Sequence, residues 1–245
     1  MSPDEPKKYD IPEMLLRNPK VHLGVISITR GGKSYAVQKW LKVPFRAGIH
    51  FDYLGKPEDS QFQYYSETSE ETIYYLQHLS KFSMTTDNLE EIEKSIEILW
   101  PMLRQNPHPP LYLAFDEIQF YSDNPIIEQI FHTGGKHNVF GIAIARNLQD
   151  IQSRSTSVIS QCDDLLLAGG INDVARKKLR TNYEINVPDV VYDHVNQIQE
   201  IKDKFGGIQR ISSHNYAWYD KRVWDLYDSN FNKIKTVGEK NDETE

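Results

Sequence analysis

The residues best suited to chemistry lie between Lys20 and Leu41, in the stretch KVHLGVISITRGGKSYAVQKWL. An apolar run from Val21 to Ile28, broken by His22, Gly24 and Ser27, reads as a strand. Thr29-Arg30-Gly31-Gly32 makes a tight turn, and Lys33-Ser34 opens a segment with helical spacing at Ala36, Val37, Trp40 and Leu41. A nucleoside triphosphate needs this order of strand, glycine turn, Lys-Ser and helix. Glycines let backbone N–H groups crowd the phosphates, and the helix N-terminus adds partial positive charge. Lys33 reaches the β and γ oxygens, and Ser34 ligates Mg²⁺. The candidate nucleotide contacts are therefore Ser27-Ile28-Thr29-Arg30-Gly31-Gly32-Lys33-Ser34-Tyr35. The usual spacing is G-x-x-x-x-G-K-[ST], and Ser27 stands where the first glycine belongs.

Far downstream, Leu111-Tyr112-Leu113-Ala114-Phe115-Asp116-Glu117 is a buried-strand run ending in two adjacent carboxylates, the Walker B form. Asp116 would hold the hydration shell of Mg²⁺, and Glu117 would polarise the attacking water. Together the two motifs predict an ATPase that uses ATP and Mg²⁺.

The chain that must position these groups has 245 residues, enough for one α/β domain with short appendages. It is 39% hydrophobic and 26% charged, a globular balance. The start Met1-Ser2-Pro3-Asp4-Glu5-Pro6 is polar, and no run approaches the roughly eighteen apolar residues of a membrane span. Neither a signal peptide nor a transmembrane segment is expected. A single cysteine, Cys162, excludes an internal disulfide, and eight scattered histidines give no zinc spacing. Net charge of −7 argues against a broad basic face for nucleic acid, but not against contact through a few loops lining the pore of a ring.

Along the chain, residues 1–19 carry four prolines and read as an N-terminal arm with a turn at Pro12 to Leu16, either a disordered tail or a segment docking on a neighbouring subunit. The ATPase domain is expected over 20–219, and a polar C-terminal tail over 220–245. Gly48 to Tyr53 reads as a second strand and Gln61 to Tyr65 as an edge strand. Thr68 with Glu71, and Asn88 with Glu91, fit capping boxes that open helices. Pro101 should kink the second of these. Asn124-Pro125 starts another helix. Val139 to Ala145 and Asp164 to Ala168 read as buried strands, followed by helical patterns at Asn172 to Thr181 and Pro188 to Phe205. Gly207 to Trp218 reads as a short strand or hairpin. Trp218, Lys221, Arg222 and Trp224 could anchor a capsid or membrane protein, though a strand packed on the core is simpler. Strands alternating with helices predict a mostly parallel central sheet with helices on both faces.

Three quoted segments narrow the class. Gly135-Lys136-His137 precedes one strand; Gly141 to Ala145 then leads into Arg146-Asn147-Leu148-Gln149-Asp150-Ile151; and Ser160-Gln161-Cys162-Asp163-Asp164 opens the next. This pattern resembles the FtsK–HerA superfamily of DNA-pumping P-loop ATPases, and within it the genome-packaging ATPases of icosahedral viruses with an internal membrane. The resemblance spans roughly Val21 to Arg180. It implies a RecA/FtsK–HerA-like P-loop NTPase fold, and a homo-oligomeric ring such as a hexamer acting on double-stranded DNA. It also implies a γ-phosphate sensor at Arg146 or Asn147, and an arginine supplied in trans, with Arg154 joining Arg104, Arg146 and Arg180 as candidates. A capsid-vertex or membrane protein would be a further partner, and the site of action the host cytoplasm, docked at a virion vertex. Two other readings are an ATPase for virion assembly or export of the zonula occludens toxin type, and a nucleotide-gated binding module with little turnover.

Overall fold

A computed structural model describes residues 11–27, 31–121, 124–146, 155–202, 208–220 and 223–238. The chain begins with one helical turn, α1 (Glu13–Leu16), followed by β1 (Leu23–Ile26), α2 (Lys33–Leu41) and β2 (Ala47–Tyr53). A two-residue strand, β3 (Tyr65–Ser66), precedes α3 (Ser69–His78), β4 (Lys81–Thr86) and α4 (Leu89–Gln105). Then come β5 (Leu111–Asp116), α5 (Pro125–Thr133), β6 (Val139–Ala145), α6 (Ser155–Ser160) and β7 (Asp164–Ala168). Two helices follow, α7 (Asp173–Tyr183) and α8 (Asp189–Val195), with an antiparallel pair, β8 (Ile198–Lys202) and β9 (Ile208–Ser212). Last are β10 (Tyr216–Asp220), β11 (Val223–Tyr227) and β12 (Lys233–Gly238).

The main sheet runs β12-β11-β10-β7-β1-β6-β5-β2-β4-β3. Strands from β7 to β3 are parallel; β10, β11 and β12 add antiparallel. β6 lies between β1 and β5, so the phosphate-loop strand and the Asp-Glu strand both abut the strand that ends before Arg146. Each central strand is buried on both faces, and its side chains alternate between two cores. Leu113 and Phe115 join the core under α4 and α5, whereas Tyr112 and Ala114 join the core under α1 and α2. Helices thus cover both faces, as the alternation of elements predicts.

The caps follow from local chemistry. Thr68 Oγ1 accepts from Glu71 N at 3.3 Å, Asn124 Oδ1 from Ile126 N at 2.9 Å, and Asn172 Oδ1 from Ala175 N at 2.7 Å. Asn88 caps α4 through Glu90 N, while Glu91 reaches across to accept from Ser69 N, tying the starts of α3 and α4 together. The helix α4 continues through Pro101 to Gln105.

Four expectations change. The segment around Pro12 to Leu16 docks on its own chain: Met14 is fully buried, and the buried Arg46 guanidinium donates to the carbonyls of Leu15, Arg17 and Trp40. Arg17 in turn pairs with Asp225 and donates to Tyr227 Oη at 2.8 Å. The polar tail expected from 220 instead supplies β11 and β12, with Trp224 fully buried. The helix expected over Pro188 to Phe205 stops at Val195, and β8 replaces its second half. β4, which the sequence reading passes over, joins β2 in parallel. Residues 1–10 and the Lys221-Arg222 pair lie outside the described residues, whereas Trp218 and Trp224 pack in the cores.

Asp164, at the start of β7, is buried and accepts from Trp218 Nε1 at 2.8 Å. Burial lifts its carboxyl from 3.8 to about 6, helped by Asp220 and Asp163 and opposed by Trp218 and Arg17. A carboxyl raised in the folded state holds its proton longer than the unfolded chain does, so stability falls as pH climbs through this window. Asp164→Asn should match the wild type below pH 4 and exceed it by about 2 kcal/mol above pH 6, read by urea unfolding across that range.

Candidate active site

The site forms at the carboxyl ends of β1, β5 and β6, where a parallel sheet opens a crevice. Gly32 caps α2 at φ 83°, a left-handed geometry that a Cβ would strain, and Lys33 is the first helical residue. Gly31 is needed for a different reason. A Cβ there would sit 1.7 Å from Ser27 Oγ and 2.6 Å from the Ala168 carbonyl. Gly169, at the end of β7, presses equally closely, since a Cβ on it would lie 2.1 Å from the Gly31 carbonyl. The loop therefore rests backbone to backbone on β7.

This packing explains how serine stands in for the first glycine. Ser27 is buried and is not among the described residues with positive φ, so its backbone does not require glycine. Its hydroxymethyl fills the space that Gly31 leaves open.

Four of the expected chemical side chains converge. Lys33 Nζ lies 3.3 Å from Glu117 Oε1 and 3.9 Å from Asp116 Oδ1. Arg146 Nε lies 3.6 Å from the same Glu117 oxygen, and Gln119 Nε2 donates to Glu117 Oε2 at 2.6 Å. Glu117 itself adopts φ 52°, ψ 56°, which turns its carboxylate back toward α2 just after the strand ends. Its N–H donates to Asp116 Oδ1 at 2.9 Å. Asp116 and Lys33 are only 4% and 8% exposed, and each has an opposite charge within 4 Å, as buried charges require.

Asp116, Glu117, Gln119 and Arg146 border a cleft of about 480 Å³. Ser34 and Tyr35 of α2 form one wall; Tyr53 at the end of β2 and Leu54, Gly55 and Lys56 after it form another. Tyr35 is half exposed and stacks on Phe231 at 6.0 Å. Ile28, Thr29, Arg30, Asn147 and Arg154 lie outside the described residues. Sequence reasoning passed over Gln119 and the turn after β2, took Gly169 only as the close of its strand, and gave no role to His50. His50 was the most visible of these, a lone imidazole in an otherwise apolar stretch of β2.

The donor set suits a hard divalent cation carried in with phosphates. A Ser34 hydroxyl and an Asp116 carboxylate border the same cleft, and Mg²⁺ characteristically takes one or two protein oxygens, completing its shell with phosphates and water. Among the described residues, no group of three or more His, Cys, Asp or Glu side chains could hold a metal alone. His50 is fully buried, and burial lowers its pKa against the opposing pull of Asp116. The tight seat of Gly31 gives a direct check. Gly31→Ala should abolish binding of a fluorescent ATP analogue, because the Ala168 carbonyl cannot move as a flexible side chain can. Ser27→Gly should leave that binding within about threefold of wild type, since the phosphates are gripped by main chain.

No protein-family model matches this sequence, and no curated protein matches it. Solved structures do share its architecture. The genome packaging NTPase B204 from Sulfolobus turreted icosahedral virus 2, in complex with ATP-gammaS, is 16% identical; the match covers 90% of this chain and 98% of that one, with a TM-score of 0.54. The same NTPase in complex with sulfate gives 14% identity, 89% and 96% coverage, and a TM-score of 0.56. B204 described as the DNA-packaging ATPase from Sulfolobus turreted icosahedral virus is 18% identical over 90% and 98%, with a TM-score of 0.52. The chain has the P-loop NTPase fold of these viral packaging NTPases, as its likeness to the FtsK–HerA superfamily implies.

Proposed function

We propose that this protein is a P-loop ATPase whose hydrolysis drives double-stranded DNA into a preformed viral capsid. The observation that carries the reading is the convergence of Lys33, Asp116, Glu117 and Arg146 beside the glycine turn. One ammonium, one guanidinium and two carboxylates at a sheet edge suit a triphosphate and an attacking water better than any other substrate.

In this reading the N-terminus of α2 and the turn before it bind the phosphates through main-chain N–H groups. Lys33 moves from Glu117 to the β and γ oxygens. Ser34 and Asp116 hold Mg²⁺, which when bound neutralises charge on the phosphate oxygens. Glu117 accepts a proton from the water whose oxygen bonds to the γ phosphorus. The bond from that phosphorus to the β–γ bridging oxygen breaks, leaving ADP and phosphate. Arg146 senses the γ-phosphate with Asn147, and Arg154 reaches the site of the next subunit in a ring. Net charge of −7 leaves DNA to be held by a few loops in the ring's channel rather than by a broad face. Docking at a virion vertex in the host cytoplasm, against a capsid or membrane protein, completes the proposal. No helix of the described residues is long and apolar enough to cross a membrane.

Phosphate release, measured with and without duplex DNA, tests the reading. The wild type should turn over ATP and be stimulated by duplex. Indifference to DNA would favour an export ATPase, and ATP binding without turnover a nucleotide-gated module. Glu117→Gln should keep ATP-gammaS binding but lose at least about 100-fold in turnover, the span of a general base. Lys33→Ala should weaken nucleotide binding itself.

A further inference from the structure

The buried side chain that this mechanism leaves unused is His50. It lies on β2 opposite Ala114, one step along the same strand face from the Asp52–Asp116 pair. Its relative exposure is 0%, in a strand where an aliphatic residue would pack at no polar cost. Nδ1 is 3.3 Å from Ser83 Oγ of β4, a hydroxyl that donates to the His50 carbonyl at 3.1 Å and lies 3.1 Å from Thr85 Oγ1. Phe62 stacks over the ring at 6.2 Å and 27°, covering this face of the sheet. Nε2 is buried without a hydrogen-bond partner, and it points toward the Asp116 carboxylate, 3.7 Å from Oδ2.

An orphaned buried nitrogen of this kind is destabilising, and a core position would shed it unless the atom had a use. The use is visible in how Asp116 is bound. Its Oδ1 accepts from the Glu117 N–H and faces Lys33; its Oδ2 faces His50. An unprotonated Nε2 would set a lone pair against the Asp116 carboxylate, so the ring proton belongs on Nε2, aimed at Oδ2, and Nδ1 accepts once the Ser83 hydroxyl turns from the His50 carbonyl.

We propose that His50 is a positioning residue for Asp116, its Nε2–H fixing the carboxylate from behind so that it keeps its orientation toward a divalent cation. The assignment rests on the nucleotide-and-Mg²⁺ reading of the site. The 3.7 Å separation closes to a hydrogen bond with a small rotation of the carboxylate, a tightening expected when substrate binds. Partners behind metal-ligating groups typically govern affinity by about 10–100-fold.

The test uses Mn²⁺ as the probe, its binding to the protein–ATP-gammaS complex followed by electron paramagnetic resonance. His50→Asn places its amide near the Nδ1 position and loses the donor to Asp116; His50→Gln extends a donor to the Nε2 position. His50→Asn should weaken Mn²⁺ by about 10–100-fold, and His50→Gln by no more than about threefold. ATP-gammaS affinity in EDTA should be the same in both. Equal losses in the two variants, or none, overturn the assignment and leave His50 a packing residue. If the wild type binds ATP-gammaS and Mn²⁺ while His50→Asn is unaffected, only this proposal falls. If the wild type binds neither, the nucleotide reading fails and takes this one with it. Nitrogen-15 correlation spectra of the wild type's histidine rings provide a check that does not depend on a variant folding. A solvent-protected Nε2–H tautomer at His50 is expected, and an Nδ1–H tautomer overturns the proposal.

Discussion

Everything at the carboxyl edge of this sheet depends on one electrostatic constraint: the buried Lys33 ammonium is kept there by two carboxylates, Glu117 at 3.3 Å and Asp116 at 3.9 Å. Lys33 comes from the first turn of α2 and Asp116 from the last residue of β5, and these elements meet because β6 lies between β1 and β5. Withdraw Lys33 and both carboxylates lose the cation they share, Asp116 at a place where desolvation costs several kcal/mol. The strand order is thus held by apolar burial on two faces, and the local geometry by charge pairing. Glu117 lies beyond the strand in a left-handed turn, with a side chain 18% exposed, and so can serve two cations and an amide at once. Asp116, the last residue of the strand, has a backbone held by the sheet and a side chain only 5% exposed; Glu117 has more room to move. That division of labour suits one carboxylate that orients and one that takes a proton.

Much of this could be read from the sequence because the central strands announce themselves. Val139 to Ala145 and Leu111 to Phe115 are buried on both faces, and a continuous apolar run is what such burial produces. The turn chemistry of Asn124-Pro125 and Thr68 was equally plain. The segments that misled are the ones whose burial depends on distant partners. β12 is exposed along most of its length, so its Lys-Ile-Lys-Thr sequence looks like a tail until it pairs with β11. The arm around Met14 is too short for periodicity, and only Arg46, Arg17 and Asp225 reveal that it belongs to this chain's own core. β4 hides its strand character because Ser83 and Thr85 face a buried polar row rather than an oily core.

The phosphate loop shows why a motif should be read as a set of spaces rather than of letters. The missing first glycine and the retained Gly31 form one packing unit: the serine hydroxymethyl takes up the volume that a Cβ on Gly31 would need. What the loop cannot give up is close approach to β7, where Gly169 and Gly31 touch through bare backbone. Such contact was invisible in a linear reading, since Gly169 followed its strand like any terminating glycine.

The pairing of Lys33 with Glu117 also links binding to chemistry in the proposed ATPase. An ammonium 3.3 Å from a carboxylate gives up that contact only for a comparable anion, and a triphosphate supplies one. The exchange is close to even for Lys33, which trades one set of anionic oxygens for another. It is not even for Glu117, which is left with Arg146 and Gln119, having lost one of the two cations that drew on its Oε1. In the proposed mechanism the step that seats the phosphates therefore also frees the carboxylate that takes the proton.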